Sequence, residues 1–236
     1  FFSYLYLRQT YPALLFSGKD MHFSKKHMLK TLRFGLVSSL HQSSLYIGKL
    51  LVQGTVNTLG TAGIAAYTAA MRIEGLVNSF GDSGNQAMSI FISQNYGKGN
   101  HDRVDEGFKK GMKLLIILCL FMSLVMFFAS GASMKAFLDE NDGNALIYGI
   151  SYLKIVSVFY IFCFIGNAFV GYFRGIGHVM VPFLGTTMHL TMRVILSWLL
   201  IRSLGLTAVA FATSAGWILV VCFHYLNYKK VRNDLR

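Results

Sequence analysis

Arg72 and Glu74 stand two residues apart in AAYTAAMRIEGL (65–76), a run otherwise built of apolar or small side chains. Lys49, Lys154 and Arg193 are set into apolar runs in the same way, and a second acid, Asp82, follows one helical stretch after Glu74. Charges in such surroundings must pair with one another, exchange a proton, or meet water or a charged ligand. Gln53 and Asn78 add amides to the set. Arg72 and Glu74 cannot pair directly, because residues two apart point to different faces of a helix. Nothing here forms a catalytic constellation. There is no metal-spaced His/Cys set, no nucleophile elbow, and FRGIG (173–177) lacks the strand–helix context of a phosphate loop. Cys119, Cys163 and Cys222 each lie inside an apolar run and read as small buried hydrophobes. His41, His189 and His224 are isolated and read as hydrogen-bonded packing residues. The chain is therefore expected to be neither an enzyme nor the holder of a metal or organic cofactor.

Composition decides what positions these charges. Hydrophobic residues make up 54% of the 236 and charged residues 14%, with a mean hydropathy of +0.49. A soluble domain carries about 25% charged residues, so a lipid bilayer is the expected surrounding. The 20 Phe and 12 Tyr suit lipid-facing and interfacial positions, and only two prolines interrupt the chain. It begins at Phe1 without a charged leader, and is taken as a piece of a longer polypeptide.

A span needs ~20 apolar residues to cross a hydrocarbon core of ~30 Å. Six stretches qualify: 34–59, 62–94, 112–132, 144–172, 179–202 and 205–228. Glycine-rich or polar punctuation separates them at 59–63, 96–102, 139–144, 174–178 and 203–205. The expected fold is all-α, a six transmembrane helix antiparallel bundle. Residues 1–9 read as the inner end of a preceding transmembrane helix, 10–30 as a cytoplasmic connector, 31–228 as the six-helix lobe and 229–236 as a basic cytoplasmic tail. Alternate loops collect the cations: Arg8 to Arg33, then Lys98, Arg103, Lys109, Lys110 and Lys113, then Arg174, then Lys229, Lys230, Arg232 and Arg236. The opposite loops hold Lys135 and Arg202 beside Asp139, Glu140 and Asp142. The positive side is the cytoplasmic one, which makes the protein multi-pass with both ends of this segment inside. The net charge of +12 lies in short loops next to spans, and no aromatic–basic module accompanies it, so the bilayer and not nucleic acid is the expected partner.

Measured from the outer end of each span, Lys49, Arg72 and Lys154 lie ten residues in and Arg193 nine. At 1.5 Å per residue that is roughly 15 Å, near the middle of the bilayer. Glu74 belongs to the same layer and Asp82 lies about two turns deeper. The first, second and fourth spans are expected to line one polar face. Lys49 is the expected partner of Glu74, since one tight turn places their helices side by side, while Arg72 is left facing the cleft. The candidate pathway is thus Lys49, Gln53, Arg72, Glu74, Asn78, Asp82, Lys154 and Arg193.

GTAGIAAYTAAMRIEGLVNSFGDSGNQAMSIFISQNYGKGNHDRV (60–104) resembles the seventh-to-eighth helix hairpin and following loop of bacterial multidrug and toxic compound extrusion (MATE) transporters. LRFGLVSSLHQS (32–43) fits the start of that hairpin, GYFRGIGHVMVPF (171–183) the tenth-to-eleventh loop, and MRVILSWLL (192–200) the eleventh helix. The resemblance implies the C-terminal lobe of a twelve-helix transporter, partnered by an N-terminal lobe, in a bacterial cytoplasmic (inner) membrane. It implies alternating access, with export of a small organic substrate coupled to H⁺ or Na⁺ antiport. Some branches of the family place a coupling carboxylate on helix ten and others on helix one; 144–172 contains neither Asp nor Glu, so the main ion site is expected in the N-terminal lobe, unless Glu74 or Asp82 takes that role. The alternatives are a flippase or exporter of a lipid-linked or anionic compound, for which the midplane cations would be partners, and a non-transporting membrane scaffold.

Overall fold

A computed structural model describes residues 2–11, 23–139 and 142–234. Part of the expected connector (12–22), two residues of the 139–144 loop (140 and 141) and the last two of the basic tail lie outside the described residues. Among those described the elements are α1 (Phe2–Thr10), α2 (Lys25–Val56), a 3₁₀ turn (Asn57–Leu59), α3 (Gly60–Gly97), α4 (His101–Phe128), α5 (Ser130–Lys135), α6 (Gly143–Gly175), α7 (Met180–Leu204) and α8 (Leu206–Asp234), with no strand. Residues 1–36 and 37–236 form two compact units. The first contains α1 and the first turns of α2; the second contains everything that follows.

The reversals obey local chemistry. Gly60 (φ +73°) and Gly205 (φ +57°) adopt left-handed backbone that side-chain-bearing residues avoid, and each lets one long helix turn into the next within a few residues. At the α3–α4 turn the Asn100 side chain accepts the Arg103 backbone N–H, capping α4. This cap starts α4 well before the apolar stretch. The expected third span, 112–132, is accordingly corrected to a helix from His101 to Phe128 followed by the separate short α5. The added turns bury Val104 and Phe108 and expose Lys109 and Lys110, an amphipathic pattern that hydropathy alone passes over.

Side-chain pairings fix the directions. α3 and α6 run parallel, with Glu74 beside Tyr160, Asn78 beside Cys163 and Asn85 beside Gly171. Their backbones approach closely: a Cβ on Gly171 would stand 2.7 Å from the Asn85 carbonyl oxygen, and one on Gly175 2.7 Å from two carbons of Ile92. α4 returns antiparallel to α3, meeting it at Gly84–Leu115, Met88–Gly111 and Phe91–Gly107. α8 runs along α6, with Trp217 against Tyr160 (5.1 Å) and Tyr228 against Tyr172 (5.0 Å). α7 lies antiparallel to α8 through His189–Trp217 and Gly185–His224. At one end, Phe108, Phe169, Tyr172 and Tyr228 form an aromatic cluster beside an Arg232 Nε–Asp105 Oδ2 ion pair of 3.0 Å.

Among the described residues four helices are long and apolar enough to cross a membrane: α4, α6, α7 and α8. The other two expected spans, in α2 and α3, have ample length at 32 and 38 residues but too much polar content to qualify. The reason lies in what they face.

Candidate functional site

A cavity of about 780 Å³ is bounded by α2, α3, α6, α7 and α8. Each helix presents one stripe to it at intervals of three or four residues, as helical geometry requires. On α2 the stripe is His41, Leu45, Lys49 and Gln53; on α3 it is Met71, Glu74, Asn78, Asp82 and Asn85. α6 contributes Cys163, Asn167, Val170 and Arg174, α7 contributes Thr186, His189 and Arg193, and α8 contributes Thr213, Trp217, Val220 and His224. The fifth and sixth spans, in α7 and α8, thus face the cavity in addition to the first, second and fourth that were expected to line it.

Glu74 is the most enclosed acid, 5% exposed. Tyr160 reaches its backbone oxygen and its carboxylate with long contacts of 3.5 Å. Arg193, 6% exposed, donates from Nη2 to the Tyr67 hydroxyl at 3.1 Å, and Tyr67 packs edge-on against Tyr152. Arg193 is the cation that acts most strongly on the Glu74 carboxylate, with Lys49 a weaker contributor. Three atoms of this group, Glu74 Oε1, Tyr152 Oη and Arg193 Nε, have no hydrogen-bond partner among the described residues.

The expected Lys49–Glu74 ion pair does not form. Both residues line the cavity, but the described ion pairs are Lys110–Glu106 and Arg232–Asp105. The Lys49 ammonium lies over the Tyr46 ring, 5.6 Å from its centroid. Gln53 donates to Asn57 Oδ1 at 2.9 Å, and Asn78 Oδ1 lies 3.6 Å from the Cys163 thiol. Asp82 is exposed to the cavity, with Arg174 as its main electrostatic partner.

Arg72 and Lys154 are not among the lining residues, which corrects the expectation that Arg72 faces the cleft. Both are exposed on the far sides of their helices: Arg72 stands over Phe137 (5.9 Å) and Lys154 over Phe127 (5.7 Å). Two residues before Glu74 is about 200° of helical rotation, so a side chain at 72 leaves the cavity when 74 enters it. Equal depth along the helices did not mean equal direction.

The structure also assembles residues that sequence reasoning set aside. Arg174, read as a loop cation, donates from Nη2 to His41 Nδ1 at 2.9 Å, and His41 Nε2 meets Thr186 Oγ1 at 2.6 Å. A guanidinium only donates, so Nδ1 is the acceptor and the proton is on Nε2, which fixes a neutral imidazole bridging α2, α6 and α7. His189 stacks on Trp217, and its Nε2 is unpartnered, as are both ring nitrogens of His224. The signal was present: His41 lies eight residues before Lys49 and His189 four before Arg193, each on a stripe whose charged member had already been singled out.

The MatE family model matches residues 38–199, from α2 through most of α7. No curated protein matched the chain. Among solved structures, a MATE transporter in complex with MaL6 superposes with a TM-score of 0.89 at 21% identity, over 99% of this chain and 54% of that one. A MOP superfamily transporter from Pyrococcus furiosus, described as having a binding pocket of reverse polarity, gives 0.88 at 21% identity, over 99% and 53%. An outward-facing multidrug resistance MATE transporter gives 0.85 at 22%, over 99% and 53%. The chain thus spans about half the length of the solved transporters it resembles, and at these identities the likeness speaks for the fold. The family match covers more than half of the sequence and takes in four of the five cavity walls, and on that ground this multi-pass membrane chain belongs to the MatE family, whose members are transporters and not enzymes.

Proposed function

We propose that the chain is the C-terminal lobe, helices seven to twelve, of a secondary active exporter of organic compounds in a bacterial cytoplasmic membrane. It works by alternating access against an N-terminal lobe and is driven by H⁺ or Na⁺ antiport. Glu74 carries the reading. A carboxylate so enclosed is charged only while Arg193 answers it, and becomes neutral by taking a proton; a bound cation can replace either. Exchange among these states is a coupling step that needs no acid on α6. The cavity beside it falls within the ~300–1,000 Å³ range of sites for small organic molecules.

The test uses the full-length transporter in proteoliposomes with ethidium as the probe. Glu74→Gln keeps the shape and removes the titration. Transport driven by an imposed H⁺ or Na⁺ gradient should be lost, while gradient-independent ethidium counterflow persists. Gradient-driven transport equal to wild type would remove Glu74 from the coupling step. A second reading, movement of a lipid-linked or anionic compound, is favoured by one observation: Lys49, Arg174 and Arg193 line the cavity against only Glu74 and Asp82.

A further inference from the structure

Building on the transporter reading above, we infer that the cavity receives the acidic group of an amphipathic organic anion between Lys49 on α2 and Arg193 on α7. Charge bookkeeping inside the cavity leaves Lys49 over. Arg174 donates to His41 and Arg193 to Tyr67, whereas Lys49 has no hydrogen-bond partner among the described residues, and none of the three is in ion-pair contact with Glu74 or Asp82. The Lys49 ammonium rests on an aromatic face, exposed to the cavity, with no carboxylate in ion-pair contact among the described residues.

The opposite side of the subsite offers one buried donor without a partner. Arg193 spends Nη2 on Tyr67, but its buried Nε–H has no partner. His189, one turn before it, lines the same cavity with Nε2 unpartnered and its ring held against Trp217. A carboxylate or phosphate oxygen accepts from both the Lys49 ammonium and the Arg193 Nε–H, and charge-assisted bonds of this kind are roughly twice as strong as neutral ones. Tyr46, Phe162 and Trp217 border the cavity and supply flat apolar surface for the body of the molecule. A cationic ligand is served less well here: it would compete for Glu74 with Arg193 and Lys49, both of which already act on that carboxylate.

Binding to purified full-length protein, read by fluorescence anisotropy with 5-carboxyfluorescein as the anion and ethidium as the cation, tests the inference. Lys49 is exposed, so its replacement leaves the buried network intact. Lys49→Gln should weaken 5-carboxyfluorescein binding roughly tenfold, the worth of one hydrogen bond to a charged group, and leave ethidium binding unchanged or tighter. Lys49→Arg should restore the anion. Binding of ethidium alone, or anion binding indifferent to Lys49→Gln, overturns the site. Probe counterflow in proteoliposomes separates the two claims. Movement of ethidium with no binding of 5-carboxyfluorescein sinks the anion subsite and leaves the transporter. Anion binding that depends on Lys49, with neither probe moved across the membrane, sinks the transporter reading and leaves the subsite.

Discussion

Glu74 and Arg193 are the two most enclosed charged residues of the cavity, 5% and 6% exposed. Removing Arg193 takes away its hydrogen bond to the Tyr67 hydroxyl, worth ~1.5–3 kcal/mol for a bond to a charged group, together with the cation that acts most strongly on Glu74. Arg193→Met should therefore lower the detergent melting temperature of the full-length protein sharply, and adding Glu74→Gln to it should recover part of the loss. Lys49→Met should leave that temperature near wild type, because Lys49 is exposed and forms no ion pair with Glu74. Equal damage from Lys49→Met and Arg193→Met would contradict this assignment of partners. Arg72→Ala, on the far side of α3, should leave ethidium binding in the cavity unaltered; weakened binding would mean that Arg72 reaches the ligand after all. The depth of these charges was legible in the sequence because rise per residue is constant. Their direction was not. It depends on which neighbour each helix packs against, and that information lies in α6 and α8, remote in sequence from Arg72.

At the scale of helices, α3 and α6 approach each other closely backbone to backbone, and α2 is held by few contacts. Gly171 admits no side chain, since a Cβ there would meet the Asn85 carbonyl oxygen at 2.7 Å. Gly171→Leu should separate the two helices and destabilise by about 1–3 kcal/mol, as overpacking does. Gly166→Ala, where a Cβ meets nothing within 4 Å, is the control and should be near neutral by the same thermal assay. α2, by contrast, is tied to its neighbours through the His41 bridge and the seat of Gly48 against Leu190. His41→Ala should broaden the distance distribution between spin labels on Leu45→Cys and Met188→Cys, and an unchanged distribution would show that the bridge does not hold the helix. The turns at Gly60 and Gly205 were readable from glycine punctuation, and the helical class from composition. The early start of α4 was not read, because its first turns obey amphipathic spacing and an Asn100 cap, whereas a window for spans registers only continuous apolarity.

Taken whole, the lobe presents its basic loops at one end and its Gly60 and Gly205 turns at the other, which is the arrangement that sets membrane orientation. In the full-length protein with native cysteines replaced, Lys98→Cys and Lys230→Cys should label only from the cytoplasmic side and Ser203→Cys only from outside. The reverse pattern would invert the proposed topology.

Because α2 and α3 carry the cavity's polar stripes, they enter the membrane before the residues that satisfy them exist. Tyr67 and Arg193 are 126 residues apart. At ~5–20 residues per second of synthesis, Arg193 emerges roughly 6–25 s after Tyr67. Through that interval Glu74 is without the Arg193 guanidinium, so the first hairpin is expected to settle late. A chain truncated before α7 should then be cleaved more readily by protease in isolated membranes than the complete chain, and equal resistance would show that the first hairpin does not wait for α7.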